Sequence, residues 1–383
     1  MEQGKEHHMA IDTPATESSE SLAFPELLGT DHVELFVGNA RQAAYFYSRA
    51  LGFTVIAYGG PETGIRDRAS YVLEQGKVRI ALTSPLGPEG PIAQHIALHG
   101  DGVKAIALRV HDAEAAYRAA TARGAKGIQE PTTVSDRSGN LTYATIATYG
   151  DTVHHFVARD DYAGIHWPGF REETRGKESV GVRFIDHTVG NVDKGKMDGC
   201  VNFYSEVFGF TVFQEFDEND IATQYSALRS KVTRDMKTMI TFPINEPAVG
   251  LKKSQIQEYL EFYRGAGVQH IALHTDDIIS TVSAMRDRGV QFLSSTPNEY
   301  YDTLREHSAG IKEDIDELQR LNILVDREED GYLLQLFTRP VTDRPTLFFE
   351  VIQRKGAKGF GKGNFKALFE SIEREQEARG NLV

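Results

Sequence analysis

The chain has 383 residues, 40% of them apolar, a single cysteine and a formal net charge of −13. That length suits two domains with buried cores. The acidic balance speaks against a nucleic-acid partner, which needs clustered Lys and Arg. Cys200 alone rules out an intrachain disulfide and a thiolate metal site, and it fits a reducing, cytoplasmic setting. No apolar run reaches the length of a membrane span.

Residues 1–25 are polar, lack the apolar stretch of a signal peptide and read as a disordered leader. The adjacent His7 and His8 within it are expected to be incidental. Over 26–162 a strand-like run holds Asp31-His32, and a helical stretch follows with Phe46-Tyr47-Ser48. Gly52 closes that helix, because glycine takes a positive φ at a C-cap without strain, and Phe53-Thr54-Val55 begins the next strand. The β-rich run Gly102-Val103-Lys104-Ala105-Ile106-Ala107-Leu108 leads into a second amphipathic helix ending at Gly124. Thr152-Val153-His154-His155-Phe156-Val157 is a further strand. Residues 163–180, with Gly164, Pro168 and Gly169, read as a linker.

Residues 181–383 repeat this order. Asp186-His187 is followed by Phe203-Tyr204-Ser205 and Gly209-Phe210-Thr211, an offset of only two residues from the first half. Gly267-Val268-Gln269-His270-Ile271-Ala272-Leu273 matches the run from Gly102, and its helix ends at Gly289. Thr346-Leu347-Phe348-Phe349-Glu350-Val351 falls where Thr152–Val157 falls. The second copy adds segments around 226–266 and 293–325. It also adds a C-terminal helix from about Phe365 to Arg379, opened by Gly361-Lys362-Gly363-Asn364. The fold class is α+β, one module used twice plus that helix.

The repeat singles out three residues. His187 has a counterpart in His32, but Ala105 stands at the place of His270 and Phe156 at the place of Glu350. A lone imidazole does not hold a divalent metal. Two imidazoles and a carboxylate do, and they leave open positions suited to Fe(II) and O₂. All three lie on strand-like runs, whose alternating faces let a curved sheet aim them at one point. Glu350 sits among Phe348, Phe349, Val351 and Ile352, and a carboxylate in so apolar a run is costly unless paired or metal-bound. Each residue also has a bland reading: a strand histidine is more often core or surface, and Glu350 could pair with an arginine. The three together favour a metal. His274 makes an H-x-x-x-H pair with His270, a spacing that suits one face of a helix, but this run reads as a strand, where it spans too far.

Several runs resemble the 4-hydroxyphenylpyruvate dioxygenase family. They are Ile185-Asp186-His187, Phe242-Pro243-Ile244-Asn245-Glu246-Pro247, Gly267-Val268-Gln269-His270-Ile271-Ala272, Gln335-Leu336-Phe337-Thr338, Phe348-Phe349-Glu350 and Gly359-Phe360-Gly361-Lys362-Gly363-Asn364-Phe365. The resemblance covers about residues 28–380 and is strongest after 180. It implies two tandem vicinal-oxygen-chelate modules, each an open barrel, with the active site in the second. It implies Fe(II) on His187, His270 and Glu350, with O₂ and 4-hydroxyphenylpyruvate as reactants and homogentisate and CO₂ as products. The substrate carries its own 2-oxo acid, so no 2-oxoglutarate, flavin or nicotinamide is expected. Phe337 and Phe365 would sandwich the substrate ring, with Phe348 and Phe360 lining the pocket. Ser226, Asn245, Gln255, Gln269 and Gln335 would form the polar set. Asn364 would border the site or cap the last helix. A homo-oligomer, dimer or tetramer, is a further expectation. The related 4-hydroxymandelate synthases keep the same triad and substrate, and extradiol dioxygenases and non-catalytic binding proteins use a similar fold.

Overall fold

The computed structural model describes residues 24–382 except 177, 218–222, 224 and 294–295, and only the backbone of 362 and 365–367. The expected leader lies outside the described residues up to 23. Phe24, placed in that leader, instead packs its ring 5.8 Å from Phe156 and 5.0 Å from Phe208.

The first half builds strands β1 (Leu27–Phe36), β2 (Thr54–Gly59), β3 (Arg68–Gln75), β4 (Val78–Pro85), β5 (Gly102–Val110), β6 (Gly127–Asp136), β7 (Gly139–Ala147), β8 (Val153–Ala158) and β9 (Arg171–Arg175). Its helices are α1 (Ala40–Arg49), α2 (Pro91–His99) and α3 (Ala113–Ala122). Asn39 and Asp112 cap α1 and α3 by accepting from the backbone N–H of Gln42 and Ala115. The sheet order is β6-β7-β8-β5-β1-β4-β3-β2-β9. The segment read as a linker therefore contributes β9, which pairs antiparallel with β2.

The second half follows with β10 (Val182–Asn191), α4 (Met197–Phe203), β11 (Thr211–Phe216), β12 (Leu228–Arg234), β13 (Thr241–Pro247), α5 (Gln255–Tyr263), β14 (Gly267–Thr275) and α6 (Ile278–Asp287). Then come α7 (Asn298–Glu306), α8 (Ile315–Leu321), β15 (Leu324–Glu328), β16 (Gly331–Phe337), β17 (Phe348–Lys355) and α9 (Lys362–Ala378). Its sheet runs β11-β12-β13-β10-β14-β17-β16-β15, and β10 sits between β13 and β14 as β1 sits between β4 and β5. The segment around 226–266, expected as an addition, instead repeats the first half: β12 and β13 hold the sheet positions of β3 and β4, and α5 follows them as α2 follows β4. The second added segment becomes α7 and α8. Helix α9 starts three residues earlier than expected: its N-cap is Gly361 at φ 73°, not Asn364.

Strand register corrects one element of the repeat. In the second sheet His187 pairs with Ala272, and Ala272 pairs with Glu350. In the first, His32 pairs with Ala107, and Ala107 pairs with His155. The counterpart of Glu350 is therefore His155 rather than Phe156. Matching residues by string slid the strand by one, which moves a side chain to the opposite face. Phe156 instead packs in the core beside Phe208. The two halves share that core: Tyr47 of α1 meets Phe349 at 5.7 Å, and the buried His154 pairs its Nε2 with the Tyr204 hydroxyl at 2.9 Å.

Candidate metal centre

β10, β14 and β17 lie side by side and expose alternate residues on the concave face. His187 and Glu350 flank Ala272 on either side, and His270 sits two residues back along β14 on the same face. The Glu350 Oε2 is 3.2 Å from His187 Nε2 and 3.3 Å from His270 Nε2. One ligand atom from each of the three lies within 4.8 Å of the others, and all three side chains are buried. Two ligands each about 2.1 Å from an ion, set at right angles, lie about 3 Å apart. The trio therefore fits a divalent ion without rearrangement of the backbone.

The outer nitrogens are committed elsewhere, which turns both Nε2 atoms inward. His187 Nδ1 lies 2.8 Å from Asp186 Oδ1, and His270 Nδ1 lies 2.9 Å from Gln269 Oε1. Such partners fix the tautomer and ring orientation of a ligating histidine. Burial would push the Asp186 carboxyl up, but hydrogen bonds from Arg354 and His187 overcome it and hold it well below the ordinary carboxylate range. Burial likewise opposes charge on Glu350, and the facing imidazoles still pull it down toward the carboxylate. Burial pushes His270 toward neutral imidazole. Metal ligation requires those two deprotonated forms.

The triad opens into a cavity of about 450 Å³. Val189, Phe216, Val232, Pro243, Ile352 and Leu368 make its apolar wall, and Ser230, Asn245 and Gln335 its polar one. Phe337 lies edge-on to His270 at 6.0 Å and Phe360 edge-on to His187 at 4.9 Å. Among the described residues, the buried Gln335 has no partner for its Nε2, and Asn191 beside Asn245 has none for its Nδ2. Gly361 favours glycine: its φ is 73°, and a Cβ would meet Gln335 Oε1 at 3.0 Å, so the amide would have to shift.

Other predicted residues stand elsewhere. The Ser226 hydroxyl is hydrogen-bonded to Glu373 of α9, and Ser226 is not among the residues lining this cavity. The serine that does line it is Ser230, paired across the sheet with Asn245. That pairing is the signal that distinguishes the two serines, and it is invisible before the register is known. Gln255, Gln269 and Phe348 line a second cavity of about 420 Å³, where Phe348 stacks on His270 at 4.8 Å. Leu293, Phe337, Phe348 and Leu368 cluster at this end of the site. Asn364 is buried in α9 and accepts from the Tyr300 hydroxyl at 3.3 Å. The side chain of Phe365 lies outside the described residues. His274 stands on the same face of β14, four residues beyond His270, and stacks on the exposed Phe184 at 4.3 Å instead of joining the triad.

Comparison with known proteins gives concordant results. Residues 29–143 and 184–336 match the model of the Glyoxalase/Bleomycin resistance protein/Dioxygenase superfamily, so the superfamily module occurs in both halves. The chain is 47% identical over 369 residues to 4-hydroxyphenylpyruvate dioxygenase of Yarrowia lipolytica, covering 92% of this chain and 93% of that one. It is 49% identical over 366 residues to the enzyme of that name from Dictyostelium discoideum, covering 92% and 100%. Among solved structures, a triple variant of 4-hydroxymandelate synthase from Streptomyces coelicolor superposes with a TM-score of 0.81 at 34% identity, covering 91% and 98%.

Proposed function

The chain belongs to the 4-hydroxyphenylpyruvate dioxygenase family and is a dioxygenase, and from that premise we propose that His187, His270 and Glu350 hold Fe(II) to convert 4-hydroxyphenylpyruvate and O₂ to homogentisate and CO₂. In this reading residues 26–162 form a scaffold domain and 181–383 the catalytic one, with 163–180 between them. The observation that carries the reading is the chemistry of the cavity wall. A buried triad of two imidazoles and one carboxylate meets a pocket whose described lining residues include no Lys or Arg. A 2-oxo acid entering there finds its countercharge only at a divalent ion, whose +2 is reduced to +1 by Glu350. Held by His187, His270 and Glu350, the ion would supply that charge to the oxygens of the 2-oxo acid.

Bound Fe(II) supplies the redox chemistry that O₂ needs in order to react with a closed-shell acid. The protein's own groups do the rest. Asp186 and Gln269 hold protons on the outer histidine nitrogens, so both Nε2 lone pairs stay at the metal. Asn245, Gln335 and Ser230 offer hydrogen bonds to the polar end of the substrate, and the unpartnered Gln335 Nε2 is a ready donor. Phe337 and Phe360 fix the plane of the ring and exclude water. The atoms balance: the carboxyl carbon leaves as CO₂, one oxygen of O₂ enters the shortened side chain and the other the ring. Oxygen consumption tests the metal role. The unaltered protein is expected to consume O₂ with 4-hydroxyphenylpyruvate only when iron(II) is supplied, and Glu350→Ala is expected to consume none. Equal uptake without iron would refute the proposal.

A further inference from the structure

A second set of contacts reaches His187 from further along the same face of the sheet. Arg354, four residues beyond Glu350, grips Asp186 with two parallel bonds, Nε to Oδ2 and Nη2 to Oδ1, both 2.7 Å. Asp186 in turn holds His187 Nδ1. The remaining guanidinium nitrogen, Nη1, donates to the carbonyl of Gly359 at 2.6 Å and reaches that of Ala357 at 3.5 Å. Those carbonyls belong to the turn that delivers Phe360 and starts α9. The guanidinium also lies 5.6 Å from the centre of the Phe360 ring, whose edge meets His187. One planar fork therefore joins a metal ligand to the segment that closes the cavity.

The first half carries the same device with a different cargo. Arg159 grips Asp31 by two bonds of 2.7 Å, Asp31 holds His32 Nδ1, and Arg159 Nη1 donates to the carbonyl of His166. The His166 ring then packs 4.9 Å from His32, as Phe360 packs 4.9 Å from His187. There the clamped segment carries Trp167, which packs in a cluster with Leu141, Val157 and Tyr162. The clamp thus ties a following segment over the Asp-His pair in both halves. In the second half that pair leads to the one metal-ligand group found among the described residues, and to the cavity of about 450 Å³.

We propose that Arg354 is a positioning residue that couples metal binding at His187 to the order of the turn 357–361 and the start of α9. The proposal rests on the metal reading above and adds a linkage that reading does not need. Linkage is reciprocal: a metal that fixes His187 tightens the turn, and a tightened turn favours the metal. Lysine cannot replace this arginine fully, because an ammonium makes no planar two-bond grip and reaches one partner at a time.

The test uses the full-length protein stripped of metal, with cobalt(II) as the probe, in the unaltered chain and in Arg354→Gln, Arg354→Lys and Arg159→Lys. Cobalt affinity and hydrogen exchange of the amides of 357–364 are measured together. In the unaltered chain cobalt is expected to slow exchange across that segment. In Arg354→Gln affinity should fall about 10- to 100-fold, as for loss of an outer-shell partner, and saturating cobalt should no longer slow exchange there. Arg354→Lys, which keeps the charge beside Asp186 and guards against a simple folding failure, should recover part of the affinity but not the slowing. Arg159→Lys should change neither. Retention of cobalt-dependent slowing in both Arg354 variants overturns the coupling while leaving the metal reading intact. Failure of the unaltered chain to bind cobalt overturns both.

Discussion

At the scale of single residues, the triad is a test of position rather than of type. His187→Ala, His270→Ala and Glu350→Ala should each abolish iron binding and turnover while leaving the fold, since each removes one inward ligand from a sheet whose core is elsewhere. His32→Ala should leave iron content unchanged, and metal analysis of the four purified variants checks all of these. The serines divide in the same way. Ser230→Ala should lower kcat/KM about fivefold, the worth of a neutral hydrogen bond of about 1 kcal/mol. Ser226→Ala should act instead through Glu373 and α9. The triad was legible in the sequence because a buried carboxylate in an apolar strand is rare enough to stand out. Ser230 and His155 were not, because both depend on register, and one residue of slip reverses a strand's faces.

Among the elements, α9 supplies part of the cavity wall. It is fastened near its middle and at its end. Near its middle Glu373 takes hydrogen bonds from Thr223 and Ser226. At its end the buried Glu258 of α5 receives Arg379 at 2.7 Å and Asn381 at 2.9 Å. Leu368 meanwhile presses into the cavity wall. Glu258→Gln should weaken the end anchor, because a neutral amide no longer pairs with Arg379 in a buried setting. The expected outcome is faster proteolysis within 362–382 and lower turnover with unchanged iron content. Unchanged turnover in a variant whose helix is cleaved faster would show α9 to be dispensable. The existence of this helix was readable from Gly361-Lys362-Gly363-Asn364 and the apolar spacing that follows. Its start was not, because Gly361 serves as the cap at a positive φ that no composition rule distinguishes from a loop glycine.

Across the whole molecule, the two halves are joined by groups that resist protonation. His154 is fully buried where the halves meet, held by the Ile106 carbonyl and the Tyr204 hydroxyl, and burial pushes its pKa down to about 4. The unfolded chain titrates such a group near 6.5. Below that value the unfolded state takes up a proton the folded state refuses, so stability is complete above about pH 6.5 and falls as the pH drops toward 4. One such histidine contributes up to about 1.4 kcal/mol per pH unit in that window. Urea denaturation between pH 7 and pH 5 should show this loss, and His154→Gln should flatten the slope by about that amount even if it lowers stability throughout. The two-module plan was visible as a repeat, but the shared core was not. Contacts such as Tyr47 with Phe349 join residues some three hundred positions apart, and no local pattern encodes them.

In the proposed reading the product of turnover reports on every part of the molecule at once: the ion, the tautomers, the aromatic walls and the closing helix. The most direct measurement is incubation of the unaltered protein with iron(II), O₂ and 4-hydroxyphenylpyruvate, followed by chromatographic separation of the products and determination of released CO₂. Ring attack and benzylic attack differ by a small rotation of one fragment, and in the proposed reading Phe337, edge-on to His270 at 6.0 Å, would set that rotation. Homogentisate as the main product, with one CO₂ for each molecule formed, is the predicted result, whereas 4-hydroxymandelate as the main product would contradict it.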